Sequence, residues 1–218
     1  MGIAENLVIL RERIPPEVKI IIVTKNQEPE EIAIPYSSGH RAFGENKVQE
    51  VTRKFPLLPS DIEWHFIGHL QSNKVRYIAS FIHMIHSIDS LKLLQEVNKE
   101  GKKNSRVIRC LLQFHIASEE TKFGLSLSEA RDILISPSYQ SMENIRIDGV
   151  MGMATFTDDE KLVHSEFINL RGYFEILKAE YFKHAGHFCE LSMGMSSDYL
   201  IAVAEGATLV RIGSAIFS

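Results

Sequence analysis

Lys25 is the side chain whose position most clearly suggests covalent chemistry. It directly follows residues 19–24 (KIIIVT), a run rich in β-branched residues. An amine at the end of a buried strand is expected to be desolvated, which lowers its pKa and leaves more of it as a nucleophile. Such a lysine can form a Schiff base with an aldehyde. The alternative is a solvated lysine that opens a surface loop, and Lys47, Lys74 and Lys122 are competing amines in polar segments.

Two separate segments could together bind a phosphate group. In residues 192–198 (SMGMSSD), Ser196 and Ser197 precede a predicted helix. Their hydroxyls and the free N–H groups of the helix start would form an anion cradle, although either serine could also be a plain helix cap. Gly213 and Ser214 follow a later strand and offer backbone N–H groups without a bulky side chain between them.

Arg211 and two methionine triplets accompany these segments. Arg211 precedes Gly213 by two residues and would face the part of the ligand that is attached to the phosphate group. Alternatively, Arg211 forms an ordinary ion pair. The triplets MGM at 151–153 and 193–195 would fill the core or contact a flat ring, as proposed for Met153. His65 and His69 have the spacing H-x-x-x-H but would not share a helical face, so we predict no metal site.

The elements that position these residues alternate regularly between strands and helices. Strands are predicted at 19–24, 40–44, 62–68, 83–88, 106–114, 145–153, 187–192 and 208–213, and helices at 45–54, 90–100, 127–135, 160–181 and 197–205. Eight such repeats indicate a closed (β/α)8 TIM barrel, whose working residues lie at the C-terminal ends of the strands. A doubly wound sheet of fewer strands is the alternative.

The chain is expected to form one domain, 1–218, because no linker or low-complexity tract divides it. An additional N-terminal helix is predicted at 1–15 and would complete the helical ring, and we expect only a short terminal segment after the last strand. The helix is predicted from apolar residues at helical spacing, which are Ile3, Leu7, Leu10 and Ile14.

Composition argues against several functional classes. The chain is 44% hydrophobic and 24% charged with a formal net charge of -4, and its basic residues are dispersed, which does not favour nucleic-acid binding. No segment is typical of a signal peptide or a membrane span. Cys110 and Cys189 lie in apolar segments, where we expect buried, reduced thiols. The sequence therefore predicts a cytoplasmic protein, and the lack of a long apolar stripe favours a monomer.

The motifs, taken together, resemble the pyridoxal phosphate homeostasis protein family. The resemblance rests on six segments in order along nearly the whole chain: VTK at 23–25, FGENKVQE at 43–50, HFIGHLQSNK at 65–74, MGM at 151–153, SMGMSSD at 192–198 and RIG at 211–213. It implies a barrel similar to the N-terminal domain of alanine racemase. It also implies pyridoxal 5'-phosphate (PLP) as the cofactor.

The same resemblance assigns roles to individual residues. PLP would form a Schiff base with Lys25, and Arg211 would face the pyridine nitrogen, where a cation disfavours protonation of the ring. Asn46 and His65 would line the ring and the cavity mouth. The phosphate group would lie on the residues that follow strands 7 and 8, namely Ser196, Ser197, Gly213 and Ser214.

Three functions are compatible with this sequence. The first is a protein of PLP homeostasis that binds PLP reversibly and passes it to PLP-dependent apoenzymes. The second is a PLP-dependent amino-acid racemase-like enzyme, which would need a second base on the opposite face of the cofactor from Lys25. The third is a phosphosugar isomerase without PLP, for which Glu190 is the candidate catalytic carboxylate. We favour the first, with no catalytic residue assigned.

Overall fold

The computed structural model describes residues 2–118 and 123–218. Eight parallel strands pair in chain order and close into a barrel, because β1 also pairs with β8. This architecture confirms the predicted TIM barrel, and the alternative of an open sheet is wrong. The strands are β1 (Lys19–Val23), β2 (Ala42–Glu45), β3 (Glu63–Phe66), β4 (Met84–Ile88), β5 (Ile108–Phe114), β6 (Ile145–Gly152), β7 (Glu190–Ser192) and β8 (Leu209–Ile212).

Helices surround the barrel and connect its strands. They are α1 (Ile3–Arg13), α2 (Pro29–Ser37), α3 (Val48–Lys54), α4 (Leu91–Lys103), α5 (Leu127–Ile135), α6 (Pro137–Gln140), α7 (Glu160–Tyr181), α8 (Tyr199–Ala204) and α9 (Ser214–Phe217). Between β3 and β4 the connection is a 3₁₀ helix, Ser72–Tyr77. The N-terminal helix α1 packs beside α2 and α9, and Asn6 Nδ2 donates a hydrogen bond to Ile216 O at 3.0 Å.

Strand β7 is shorter than the predicted 187–192. Phe188 supplied much of the apolar signal, but its ring stacks on Phe182 and Phe174, with centroids 4.2 and 5.1 Å away. This segment is therefore apolar because it packs on α7, not because it belongs to the barrel. Cys189 is exposed, contrary to our expectation, whereas Cys110 is buried as expected.

The barrel interior changes in character along its axis. Its middle is filled by apolar side chains, namely Ile21, Ala42, Met84, Leu111, Met151 and Leu209. Below them, at the end where the strands begin, lies a charged belt formed by Lys19, Glu63, Arg109, Asp148 and Glu190. Ion pairs therefore close the lower end of the barrel.

No helix of the described ranges is long and apolar enough to cross a membrane.

Candidate functional site

A cavity of about 330 Å³ opens at the upper end of the barrel, where the strands end. A cavity at this end is expected of a TIM barrel. Eight of the nine predicted site residues line it: Lys25, Asn46, Met153, Ser196, Ser197, Arg211, Gly213 and Ser214. Val23, Ile67, Phe156 and Met195 complete the wall.

Lys25 reaches the cavity from the turn that follows β1. The next residue, Asn26, has a φ of 64°, a left-handed conformation that asparagine tolerates better than most residues. The chain therefore turns away from the barrel immediately after the lysine. Lys25 is exposed, so the expected desolvation of its amine is wrong: the side chain lies at an open mouth, not inside a closed one.

A buried ion pair supports the strand end that carries Lys25. Lys54 Nζ bonds Glu45 Oε1 at 2.6 Å and the backbone oxygen of Thr24 at 2.9 Å. Thr24 Oγ1 donates to the same carboxylate oxygen of Glu45 at 2.6 Å. Because Lys54 and Glu45 are fully buried, these contacts tie α3 to the ends of β1 and β2 from the outer side of the barrel.

The serine segment and the end of β8 meet across the cavity wall. Ser196 Oγ accepts hydrogen bonds from the N–H groups of Gly213 at 3.2 Å and Ala215 at 3.4 Å. Helix α8 begins after Asp198, which provides no side-chain cap hydrogen bond, so Ser196 acts as a bridge to β8 and not as a helix cap. The serine hydroxyl and these backbone amides are the polar groups that a phosphate group needs.

Backbone geometry explains the two glycines of these segments. Gly194 has a φ of 90°, and an added Cβ would lie 2.5 Å from Ala202 Cβ. At Gly213 an added Cβ would lie 3.1 Å from Val23 O. Glycine therefore allows the β7 loop to fold back on α8, and it allows the end of β8 to approach β1 closely.

Arg211 contributes a buried cation to the wall. Its Nη1 donates to Ser192 Oγ at 2.6 Å and its Nη2 to Gly152 O at 2.9 Å, and the residue is 3% exposed. Burial lowers the pKa of Arg211 to about 10, while the opposite charge of Asp198 acts to raise it. The guanidinium therefore remains protonated at neutral pH.

His65 is the predicted site residue that does not line the cavity. Alternate residues of a strand face the same side, so Glu63, His65 and Ile67 point into the barrel from β3, at increasing height. Ile67 occupies the mouth, and His65 lies one layer deeper, 1% exposed, with its Nδ1 2.8 Å from His86 Nε2. Counting this alternation from the strand end would have identified Ile67.

The methionine triplets divide between core and cavity. Met151 and Met193 are fully buried, whereas Met153 and Met195 line the cavity. Phe156 lines it as well and is 85% exposed. An aromatic residue in the loop after β6 was a signal that the sequence analysis did not use.

Potential metal ligands occur in the lower barrel, where the sequence did not suggest them. One ligand-type atom each of Glu63, His65 and His83 lies within 4.8 Å of the others. Lys19 Nζ is 2.5 Å from Glu63 Oε2, and Arg109 Nη1 is 2.8 Å from His83 Nε2. A metal ion would therefore meet two cations that already pair with its ligands. His69 pairs instead with Asp89 at 3.3 Å.

Two of the three competing lysines, Lys47 and Lys74, do not line this cavity. Lys47 and Lys74 line a separate, smaller cavity of about 170 Å³ between α3 and the 3₁₀ helix. Lys122 lies outside the described residues.

The closed parallel barrel, with a lysine, a serine–amide pair and an arginine at its upper end, defines a protein of the alanine racemase N-terminal-domain class. The family model described as "Alanine racemase, N-terminal domain" matches residues 2–218. A curated relative named pyridoxal phosphate homeostasis protein, from Helicobacter pylori, is 39% identical over 92% of this chain and 87% of its own length. One from Aquifex aeolicus is 36% identical over 91% and 86%. The chain belongs to the pyridoxal phosphate homeostasis protein family.

Solved structures agree with this assignment. PipY of Synechococcus elongatus without PLP superposes with a TM-score of 0.93 at 35% identity, over the full length of both chains. PipY with PLP bound gives 0.89 at 34% identity, also over both full chains. An alanine racemase of Clostridium difficile shares only the fold, with a TM-score of 0.79 at 12% identity, over 99% of this chain and 56% of that one.

Proposed function

We propose that this protein binds PLP through a Schiff base on Lys25 and serves PLP homeostasis as a reversible carrier of the cofactor. The observation that carries the proposal is that an exposed amine, a serine–amide pair and a buried guanidinium all face one cavity. PipY, 34% identical, has a structure with PLP bound.

Each part of the cavity fits one part of PLP. Ser196, with the backbone of Gly213 and Ser214 and the hydroxyl of Ser197, would hold the phosphate group. When bound, PLP supplies an aldehyde, with which Lys25 Nζ condenses to release one water molecule. Arg211 would face the pyridine nitrogen and keep it unprotonated, which weakens the ring as an electron acceptor. Met153 and Asn46 would contact the ring.

A carrier fits the cavity better than a racemase does. Racemisation needs a proton donor or acceptor on each face of a planar intermediate. Among the cavity-lining residues within the described ranges, Lys25 is the one amine, and none is a histidine, a tyrosine or a carboxylate that could serve as the second base. Tyr36 bonds Asp61, Tyr77 bonds Arg76, and Tyr199 is buried, so these tyrosines do not line the cavity.

Glu190 is not placed to act as the catalytic carboxylate of a phosphosugar isomerase. Glu190 is the first residue of β7 and pairs with Arg109 in the charged belt, at the opposite end of the barrel from the cavity. Among the described cavity-lining residues there is no carboxylate. A reaction that requires a carboxylate base is therefore poorly supported.

We also propose that residues 1–218 act as one domain, in the cytoplasm and as a monomer, with PLP-dependent apoenzymes as recipients. The described cysteines are both free, in keeping with a reducing compartment. Mixing the PLP-loaded protein with a PLP-free apoenzyme tests whether such apoenzymes are the recipients of PLP. We expect activation faster than free PLP at equal concentration achieves.

The first test is an absorbance spectrum of the PLP-loaded protein before and after borohydride reduction, followed by peptide mapping. We expect a visible band that collapses on reduction, with the added mass on Lys25. Lys25→Ala should lose the covalent adduct and keep its fold, because the side chain is exposed. Lys47→Ala and Lys74→Ala are matched controls that should keep the adduct.

Three outcomes would contradict the proposal. An adduct on Lys47, Lys74 or Lys122 would move the site, and a spectrum that stays flat after PLP is added would remove the cofactor. Racemisation of L-amino acids faster than about 1 s⁻¹, the low end of ordinary turnover, would favour the enzyme over the carrier.

A further inference from the structure

Four side chains from four strands form a continuous hydrogen-bonded chain inside the barrel. Arg211 Nη1 is 2.6 Å from Ser192 Oγ, Ser192 Oγ is 3.0 Å from His86 Nδ1, and His86 Nε2 is 2.8 Å from His65 Nδ1. All four residues are at most 3% exposed. We call Arg211, Ser192, His86 and His65 the buried relay.

The chemistry of arginine fixes the direction of every bond in this relay. A guanidinium only donates, so Ser192 Oγ accepts a hydrogen bond from Arg211. The O–H group of Ser192 can then donate a hydrogen bond to a second partner. In residues 2–118 and 123–218, His86 Nδ1 is the remaining partner of that hydroxyl. Ser192 therefore donates to His86 Nδ1, which must be unprotonated.

The direction then passes through both imidazoles. Because Nδ1 of His86 accepts, its proton is on Nε2, and that N–H donates to His65 Nδ1. His65 likewise carries its proton on Nε2, a buried atom without a hydrogen-bond partner in the described part of the chain. Each ring thus accepts at Nδ1 and keeps its one proton on Nε2, so both rings are neutral, which suits side chains that are at most 1% exposed.

We propose that Ser192 and His86 are positioning residues that hold Arg211 toward the ring of the cofactor, and that His65 fixes the tautomer of His86. This proposal rests on the proposed function only for the identity of the ligand. Ser192 presents its oxygen to Arg211 because its proton is directed to His86. A dipole chain aligned in this way stabilises the buried cation, and neighbouring bonds strengthen one another.

The relay direction can be measured without any ligand. Long-range ¹H–¹⁵N correlation spectra of the ligand-free protein report the tautomer of each histidine, with assignments from His65→Gln and His86→Gln. We expect neutral rings protonated on Nε2 for both residues at neutral pH. A proton on Nδ1 of His86, or a charged imidazolium, would overturn the proposal. An unprotonated Nε2 on His65 would also overturn the proposal, and it would favour a role of His65 as a metal ligand beside Glu63.

The positioning role is tested by Ser192→Ala, with Ser87→Ala as the matched control. Both serines are fully buried, but the Ser87 hydroxyl has no partner within the described structure, although it adjoins His86. Losing the Ser192 hydroxyl leaves a donor and an acceptor unpaired, so PLP affinity should fall about tenfold and the pH profile of the visible band should shift. Ser87→Ala should change neither.

The outcomes separate the positioning role of Ser192 from the proposed binding of PLP. If Ser192→Ala binds PLP like the unsubstituted protein and keeps its pH profile, the positioning role is wrong although the cofactor site stands. If the unsubstituted protein binds no PLP, the proposed function fails, and the tautomer spectra still decide the direction of the relay. The tautomer spectra of the unsubstituted protein also decide the direction of the relay if Ser192→Ala does not fold.

Discussion

At the scale of residues, the cavity combines groups that differ strongly in solvation. Lys25 is exposed, Ser196 is half-buried, and Arg211 is nearly inaccessible. The nucleophile is therefore open to solvent, while the cation that would face the cofactor ring is held rigidly by Ser192 and Gly152. Such a site is suited to the reversible capture of an aldehyde.

Gly213→Ala should weaken PLP binding and leave the barrel folded. The added Cβ would approach Val23 O to 3.1 Å, which requires a small shift of β8 against β1 exactly where the phosphate group would be held. Overpacking of this kind costs about 1–3 kcal/mol. We expect a rise in the dissociation constant, measured by titration of the visible band, of about tenfold, the equivalent of ~1.4 kcal/mol.

Gly172→Ala provides the matched control for that substitution. Gly172 lies in α7, and an added Cβ would meet nothing within 4 Å. Alanine should stabilise the helix by about 0.5–1 kcal/mol in chemical denaturation and leave PLP affinity unchanged. Equal effects of the two substitutions on affinity would contradict the close approach of β8 to β1 as their cause.

At the scale of elements, all eight strands and six of the described helices, α1 among them, were predicted from the sequence. A β-branched run identifies β1 and an apolar run identifies β5, because most residues of both strands are buried on both faces. Helix α2 escaped prediction, since it begins at Pro29 and contains Pro35. The 3₁₀ helix between β3 and β4 has too few residues for a helical period to appear.

Most residues that line the cavity were also predictable from the sequence. Residues in loops after strand ends, such as Lys25 and Ser196, were found because the barrel rule places them at one end. His65, which the resemblance placed at the cavity mouth, lies one layer deeper than Ile67, since alternate residues of β3 face the barrel interior at different heights. The pairing of His65 with His86 joins residues 21 positions apart, and only the barrel closure brings Ser192 beside them.

The contact between α3 and the β1–β2 ends should depend strongly on Lys54. Lys54→Met would leave the fully buried Glu45 carboxylate without its cation, and breaking a buried pair in this way costs about 3–5 kcal/mol. Chemical denaturation should show this loss. Lys99→Met, which breaks the exposed pair with Glu96, should cost less than about 0.5 kcal/mol.

A double variant separates the loss of the ion pair from the loss of packing. In Lys54→Met with Glu45→Leu, no charge remains buried, so most of the stability should return. If the double variant is as unstable as Lys54→Met alone, the packing of the lysine stem, and not the orphaned charge, accounts for the loss.

At the scale of the whole molecule, the barrel has a stabilising end and a binding end. The charged belt and the apolar middle layer form the lower part, and the cavity occupies the upper part. The buried relay crosses between them, because His65 lies close to Glu63 and His83 while Arg211 lines the cavity. The buried relay therefore connects the charged end of the barrel with the cavity proposed to hold PLP.

The protein should lose stability in mild acid. The pKa values of His65 and His86 are lowered well below the usual range by burial, with added repulsion from Arg211, Arg109, His83 and Lys19. The unfolded chain binds these protons near pH ~6.5, whereas the folded chain does not, so stability is retained above that pH and falls below it. Each histidine contributes about 1.4 kcal/mol per pH unit in that window.

Denaturation measured between neutral pH and mild acid checks this expectation. His65→Gln should reduce the slope of unfolding free energy against pH by the contribution of one histidine. An identical slope in the variant and the unsubstituted protein would show that His65 binds its proton equally in the native barrel and in the unfolded chain.

The exposed position of Lys25 bears on the speed at which the cofactor would be handed over. Water reaches the amine at the open mouth of a barrel whose strands are joined in a closed ring. Release of PLP from the proposed Schiff base would then need hydrolysis of that bond and no opening of the barrel. The residence time of PLP would then depend on the rate of this hydrolysis. PLP would bind and leave while the barrel stays rigid.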